Sequence, residues 1–149
     1  MAGQSGECGY DAGKKVLGRK RHLLVDTLGM ILAVVVHPAN IQDRDGAKLL
    51  LSKALKYGWL RCIFADGGYA GMLIKWVKQL FGKQGTRLEI VSKIGGGFHV
   101  LPKRWIVERT FAWLNHYRRL SKDYEVNTSH SEGFIYIALS RLMIRRLAK

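Results

Sequence analysis

Two acids in this chain stand where a carboxylate needs a reason. Asp66 ends the largely apolar run Cys62-Ile63-Phe64-Ala65 and is followed by Gly67-Gly68, while Glu108 lies in "WIVERTFAW" between apolar neighbours. Open α/β sheets place their ligands at the C-terminal ends of strands, and two glycines leave the backbone open to a metal ion or a phosphate. Taken alone, Asp66 reads as a turn residue, since Asp-Gly is a common turn dipeptide. Glu108 alone reads as an ion pair with Arg104, four residues earlier on a solvated helix face. Brought together, the two mean something else. Carboxylates about 4 Å apart repel by roughly 4 kcal/mol at an effective dielectric near 20. A divalent cation removes that penalty, and hard oxygen ligands suit Mg²⁺ or Mn²⁺. Two such ions can activate a water or a 3′-hydroxyl and stabilise the leaving oxygen at phosphorus.

The charge of the chain points the same way. Its 149 residues carry 25 Lys and Arg against 11 Asp and Glu, a formal charge of +14. Such a surface favours a polyanion, because counterion release drives it onto phosphate backbones. Lys14, Lys15, Arg19, Lys20 and Arg21 put five cations into eight residues, which favours phosphate contacts over a solvated tail. Cys8 and Cys62 have no CxxC partner, so neither a zinc site nor a structural disulfide is expected. The longest apolar run, "MILAVVV", has seven residues, far short of the roughly 18 that a membrane span needs. A cytoplasmic protein without a membrane partner is the expectation. An RNA-binding module is the poorer alternative, because no RNA-recognition motif is present.

These residues need elements to position them. Residues 1–13 are small, polar and Gly-rich and read as a disordered segment, with one domain over 14–149. The basic stretch "KKVLGRKRH" leads into a strand at "HLLVDT" and a second at "MILAVVVH", together a hairpin. Apolar residues at 47, 50, 51, 54 and 55 predict a helix that stops at Gly58. "RCIFAD" reads as a short strand buried on both faces. A helix over "AGMLIKWVKQLFG", a strand at "RLEIVSK" and a loop at "IGGGFHVLP" follow. A long helix covers "KRWIVERTFAWLNHYRRLSK", and a last one starts near "SHSE", where Ser129 and Glu132 fit a capping box. Asp43 and Asp45 suit a helix N-terminus, and Asp11 and Asp26 suit turns. His37 reads as a hydrogen-bonded structural histidine. Trp76, Trp105 and Trp113 read as core.

The segments "GYDAGKKVLGRKRHLLVDT", "ADGGYAG" and "RWIVERTFAWLNHYRRLSKDYE" resemble the DDE transposases of bacterial insertion sequences. The resemblance runs from about Gly9 to Lys149. It implies an RNase H-like mixed α/β sheet with flanking helices. It makes Asp66 the second and Glu108 the third acid of a triad that holds Mg²⁺ or Mn²⁺, with 41 residues between them. Arg104 matches the family's R-x3-E pattern, and Lys103, Arg104, Arg118 and Arg119 are implied contacts to double-stranded DNA at transposon ends and target. The family's first acid stands on a central first strand upstream of "GYDAGKK", and neither is found before Gly9. The expectation is therefore a partial catalytic core that lacks its first central strand and is inactive alone. A homo-oligomer or an upstream transposase chain would then supply the strand. The alternative is a non-catalytic fragment that binds DNA or dimerises and so regulates an intact transposase.

Overall fold

The computed structural model describes residues 7–91 and 103–148. Three strands open the fold: β1 (Gly9–Asp11), β2 (Val16–Val25) and β3 (Ile31–Pro38), in the order β1-β2-β3 and antiparallel throughout. Helix α1 (Asp43–Ala54) leads to β4 (Cys62–Asp66), a 3₁₀ turn (Gly67–Tyr69), α2 (Met72–Leu80) and β5 (Arg87–Val91). β5 pairs with β4 in parallel, with Asp66 opposite Val91. Helix α3 (Arg104–Asn115), a second 3₁₀ turn (Arg118–Leu120) and α4 (Thr128–Leu147) complete the chain. The result is a mixed α/β domain with one antiparallel and one parallel sheet. No helix among the described residues is long and apolar enough to cross a membrane.

The hairpin forms because its turn is chemically specified. Asp26 Oδ1 accepts hydrogen bonds from the amides of Leu28 and Met30, both at 2.8 Å. Gly29 adopts φ +84°, where a side chain is strained, and a Cβ there would press on Thr110, Trp113 and Arg109. β3 is covered on both faces. Ala33 and Val35 pack on Leu50 of α1, whereas Ile31, Val34 and Val36 pack on Leu114, Ile135, Ala138 and Leu139. A second core joins Ala47, Leu51 and Ala54 to Ile63, Leu73, Val77, Phe81 and Leu88, tying α1 and α2 to the parallel sheet.

The free edge of β3 is occupied by side chains. Tyr57 Oη donates to Leu32 O at 2.7 Å and Lys53 Nζ donates to Val34 O at 3.0 Å. The amide of Val34 donates to Tyr136 Oη at 3.2 Å, and that of Val36 to Glu132 Oε1 at 3.0 Å. This explains why the expected capping box is not made. Glu132 also pairs with Lys53 at 2.7 Å, so its carboxylate serves the sheet, and Asn127 stands at the helix start without a side-chain cap.

Other expectations shift as well. Gly9–Asp11, assigned to the disordered segment, form β1, and Gly9 packs so tightly on Asn40 that a Cβ would overlap it. The basic stretch before "HLLVDT" is itself strand, since β2 starts at Val16. β4 is not buried on both faces: Ile63 is buried, but Phe64 is 39% exposed. α3 stops at Asn115, shorter than the helix expected through Lys122. The loop read at "IGGGFHVLP" lies outside the described residues.

 

Candidate active site

Among the described residues the two sheets are not joined by a hydrogen-bonded ladder. Between β2 and β4 runs a groove of about 570 Å³. Residues 21–27 line one bank and residues 59–66 the other, in unbroken succession. Side chains alternate across a strand, so consecutive lining means that strand edges, not faces, look into the gap. Ala47, Leu50 and Leu51 of α1 and Ile106, Val107 and Phe111 of α3 also line it. Asp66, Glu108 and Asp26 all contribute to the same groove.

Asp66 ends β4 and is half-buried. Its Oδ1 accepts the amide proton of Gly68 at 2.9 Å, so the turn reading is physically realised. That bond uses one lone pair and leaves the rest of the carboxylate available. A Cβ at Gly67 would meet nothing within 4 Å, so no protein contact demands glycine there. Glu108 is exposed on α3, and its Oε1 accepts from Arg104 Nε at 3.0 Å. The ion pair read from the spacing is therefore formed, and it engages the Arg104 assigned to DNA phosphate. Asp26 and Asp11 hold turns as expected. Asp11 Oδ1 accepts from the amides of Gly13 and Lys14, and the bond from Lys14 is the main cause that lowers its pKa.

Asp66 and Glu108 are thus brought to one groove as two oxygen donors of the kind Mg²⁺ or Mn²⁺ takes. No group of three or more His, Cys, Asp or Glu among the described residues is placed to hold a metal ion.

The cations divide into two groups. Lys14, Lys15, Lys103 and Arg118 are exposed, and Lys103 Nζ lies 3.7 Å from the centre of the Phe64 ring, beside the groove. Arg119 is exposed but engaged, donating to Glu125 at 2.8 Å and stacking on Phe134. Arg19, Lys20 and Arg21, also expected to contact DNA, spend their donors inside the protein. Arg19 donates to Glu7 O at 2.9 Å, Glu125 O at 2.7 Å and Val126 O, and pairs with Asp123 at 3.3 Å. Arg21 donates to Leu120 O at 2.7 Å and Lys122 O at 2.9 Å. Lys20 pairs with Asp43 at 2.9 Å and Asp11 at 3.4 Å. The alternation of β2 turns these residues onto neighbouring elements, which a count of cations does not reveal.

Two of the tryptophans, Trp105 and Trp113, also depart from expectation. Trp105 is 46% exposed. The Arg109 guanidinium lies over both Trp105 and Trp113, and Arg146 lies over Trp113, so the rings form a cation–π ladder rather than core. Trp76 is partly buried against the core around Phe81. His37 is structural as expected, with Nδ1 2.8 Å from Pro38 O. The sequence carries no motif for one further contact: Tyr69 Oη lies 3.0 Å from His22 Nδ1. Its only signal is that Tyr69 directly follows the glycine pair.

A mixed α/β domain with two acids lining one groove, in a strongly basic chain, is the setting in which the family comparison falls. The family model described as "Transposase DDE domain" matches residues 2–143, and the chain belongs to that family. It is also similar to a curated protein of Burkholderia cepacia described as a transposase for insertion sequence element IS402, 29% identical over 116 residues. The match covers 72% of this chain and 54% of that relative, so the chain spans about half of its length. No solved structure matches the chain significantly.

Proposed function

We propose that residues 14–149 are part of the catalytic core of an insertion-sequence transposase with an RNase H-like sheet. Its partners are double-stranded DNA at transposon ends and target, and its setting is cytoplasmic. The carrying observation is that Asp66 and Glu108, distant in sequence, line one groove. Family membership supports the reading.

Asp66 and Glu108 would each give carboxylate oxygens to Mg²⁺ or Mn²⁺. Bound there, the ions supply Lewis-acid activation of a water or 3′-hydroxyl at phosphorus. Glu108 must first leave Arg104, which frees that guanidinium for a DNA phosphate. Lys14, Lys15, Lys103 and Arg118 hold the duplex by charge. The open edges of β2 and β4 accept a further strand from outside the described residues, and that strand carries the third carboxylate. Without it, this chain is inactive.

The test is strand cleavage of labelled terminal-repeat DNA with Mg²⁺ or Mn²⁺. No cleavage by this chain is expected. Cleavage abolished by Asp66→Ala would refute inactivity and support the metal site. A second reading is favoured by the Arg104–Glu108 pair and by the lack, among the described residues, of three grouped metal-ligating side chains: a non-catalytic fragment that binds DNA or joins an intact transposase and inhibits it. Metal-independent DNA binding that is unchanged in Asp66→Ala/Glu108→Ala supports that reading.

A further inference from the structure

We propose that His22 and Tyr69 form a positioning pair that sets the Asp66 carboxylate by fixing the turn after β4. The inference rests on the reading of Asp66 as a metal ligand. His22 belongs to β2 and Tyr69 closes the 3₁₀ turn that begins right after Asp66. Their hydrogen bond, at 3.0 Å, joins β2 of the antiparallel sheet to the turn that follows β4.

His22 is well suited to act as a fixed anchor. It is 7% exposed, and its ring stacks on His37 with centroids 4.8 Å apart and planes 19° from parallel. His37 is itself held by Pro38 O. Gly46 of α1 closes the space over both rings, since a Cβ there would overlap His37 Nε2 and His22 Nε2. The imidazole therefore has no room to swing, and the Tyr69 hydroxyl meets a rigid partner. Burial lowers the pKa of His22 to about 4 and raises that of Tyr69 to about 12. Both groups are neutral at pH 7, so the bond is a neutral one.

From Tyr69 the constraint reaches Asp66 in two short steps. The amide of Ala70 donates to Gly67 O at 3.2 Å, closing the turn, and the amide of Gly68 donates to Asp66 Oδ1 at 2.9 Å. Gly67 itself is in open space, with nothing within 4 Å of a would-be Cβ. The turn is thus held at its far end by Tyr69 and at its near end by Asp66. Releasing Tyr69 frees the Gly68 amide, and with it the orientation of the carboxylate.

The experiment uses the whole chain and two readouts: Mn²⁺ affinity and the hydrogen exchange of the Gly68 amide. Tyr69→Phe is expected to weaken Mn²⁺ binding about fivefold and speed Gly68 exchange about fivefold, the effect of one lost neutral hydrogen bond. His22→Phe should match it, the double variant should be no worse, and His22→Asn, which keeps a polar atom at the Nδ1 position, should restore both values. A purely structural role would lower the melting temperature without this pattern of rescue. Unchanged Gly68 exchange in Tyr69→Phe overturns the positioning role whatever the metal does. Mn²⁺ binding that survives Asp66→Asn instead overturns the metal reading, and Gly68 exchange in Tyr69→Phe still decides whether the pair fixes the turn.

Discussion

Arg19 offers the sharpest test of how the basic residues divide. Its side chain is 3% exposed, and Arg19→Met keeps most of the stem volume while removing every donor. Three backbone carbonyls lose a charged partner, and Asp123 loses its ion pair while keeping Ser131 Oγ and the amide of Glu125. A hydrogen bond to a charged group contributes about 1.5–3 kcal/mol. The bonds to Glu7 and Val126 lie near the surface and are discounted. Breaking a buried charge pair costs about 3–5 kcal/mol, which we take as the expected loss. For a chain of this size that lowers the melting temperature by roughly 6–20 °C. The assay pairs thermal unfolding with duplex-DNA binding at several salt concentrations, below the variant's melting point. Arg19→Met should lose stability and keep its salt slope. Lys14→Ala/Lys15→Ala should keep stability and lose about 2 from the slope, near 0.9 for each phosphate contact. Full stability with lost DNA affinity in Arg19→Met would refute the inward assignment.

Three further outcomes follow from single contacts. Glu132→Ala leaves the Val36 amide and Lys53 without their carboxylate and should cost about 1–3 kcal/mol in urea unfolding. Gly29→Ala places a side chain at φ +84° against Thr110 and Trp113 and should destabilise by about 1–3 kcal/mol in the same measurement. His22, with its pKa lowered from 6.5 to about 4 by burial and then by His37, should make stability depend on pH. The unfolded chain binds the proton first, so this stability is full above pH 6.5 and is lost as pH falls toward 4, by about 3 kcal/mol in all. A melting curve whose slope between pH 6.5 and 4 is unaltered in His22→Asn would contradict it.

Much of the fold was legible because short-range physics specifies it. The β-branched run Val34–Val36 and the Asp26–Gly29 turn define the hairpin, and the spacing of Leu50, Leu51 and Ala54 defines α1. Glu132 was misread because a capping box is a local pattern, whereas its partners Val36 and Lys53 come from far along the chain. The same limit applies to Arg19 and Arg21: their charge is plain in the sequence, but their acceptors lie about 100 residues away. Asp66 and Glu108 could be nominated from neighbouring residues. Their convergence on one groove depends on how α3 packs beside β2 and β4, which no spacing encodes.

The side chains along the outer edge of β3 have a consequence for assembly. An exposed strand edge is an invitation to any other chain that can extend beside it. On this side the positions at Leu32, Val34 and Val36 are already answered by Tyr57, Lys53, Tyr136 and Glu132. A second copy could add a strand there only by displacing four partners, Lys53 of α1, Tyr57 just after it, and Glu132 and Tyr136 of α4. Among the described residues, strand edge without such side-chain partners also faces the groove between β2 and β4, so β3 is closed to an added strand on its outer side while the groove is open to one.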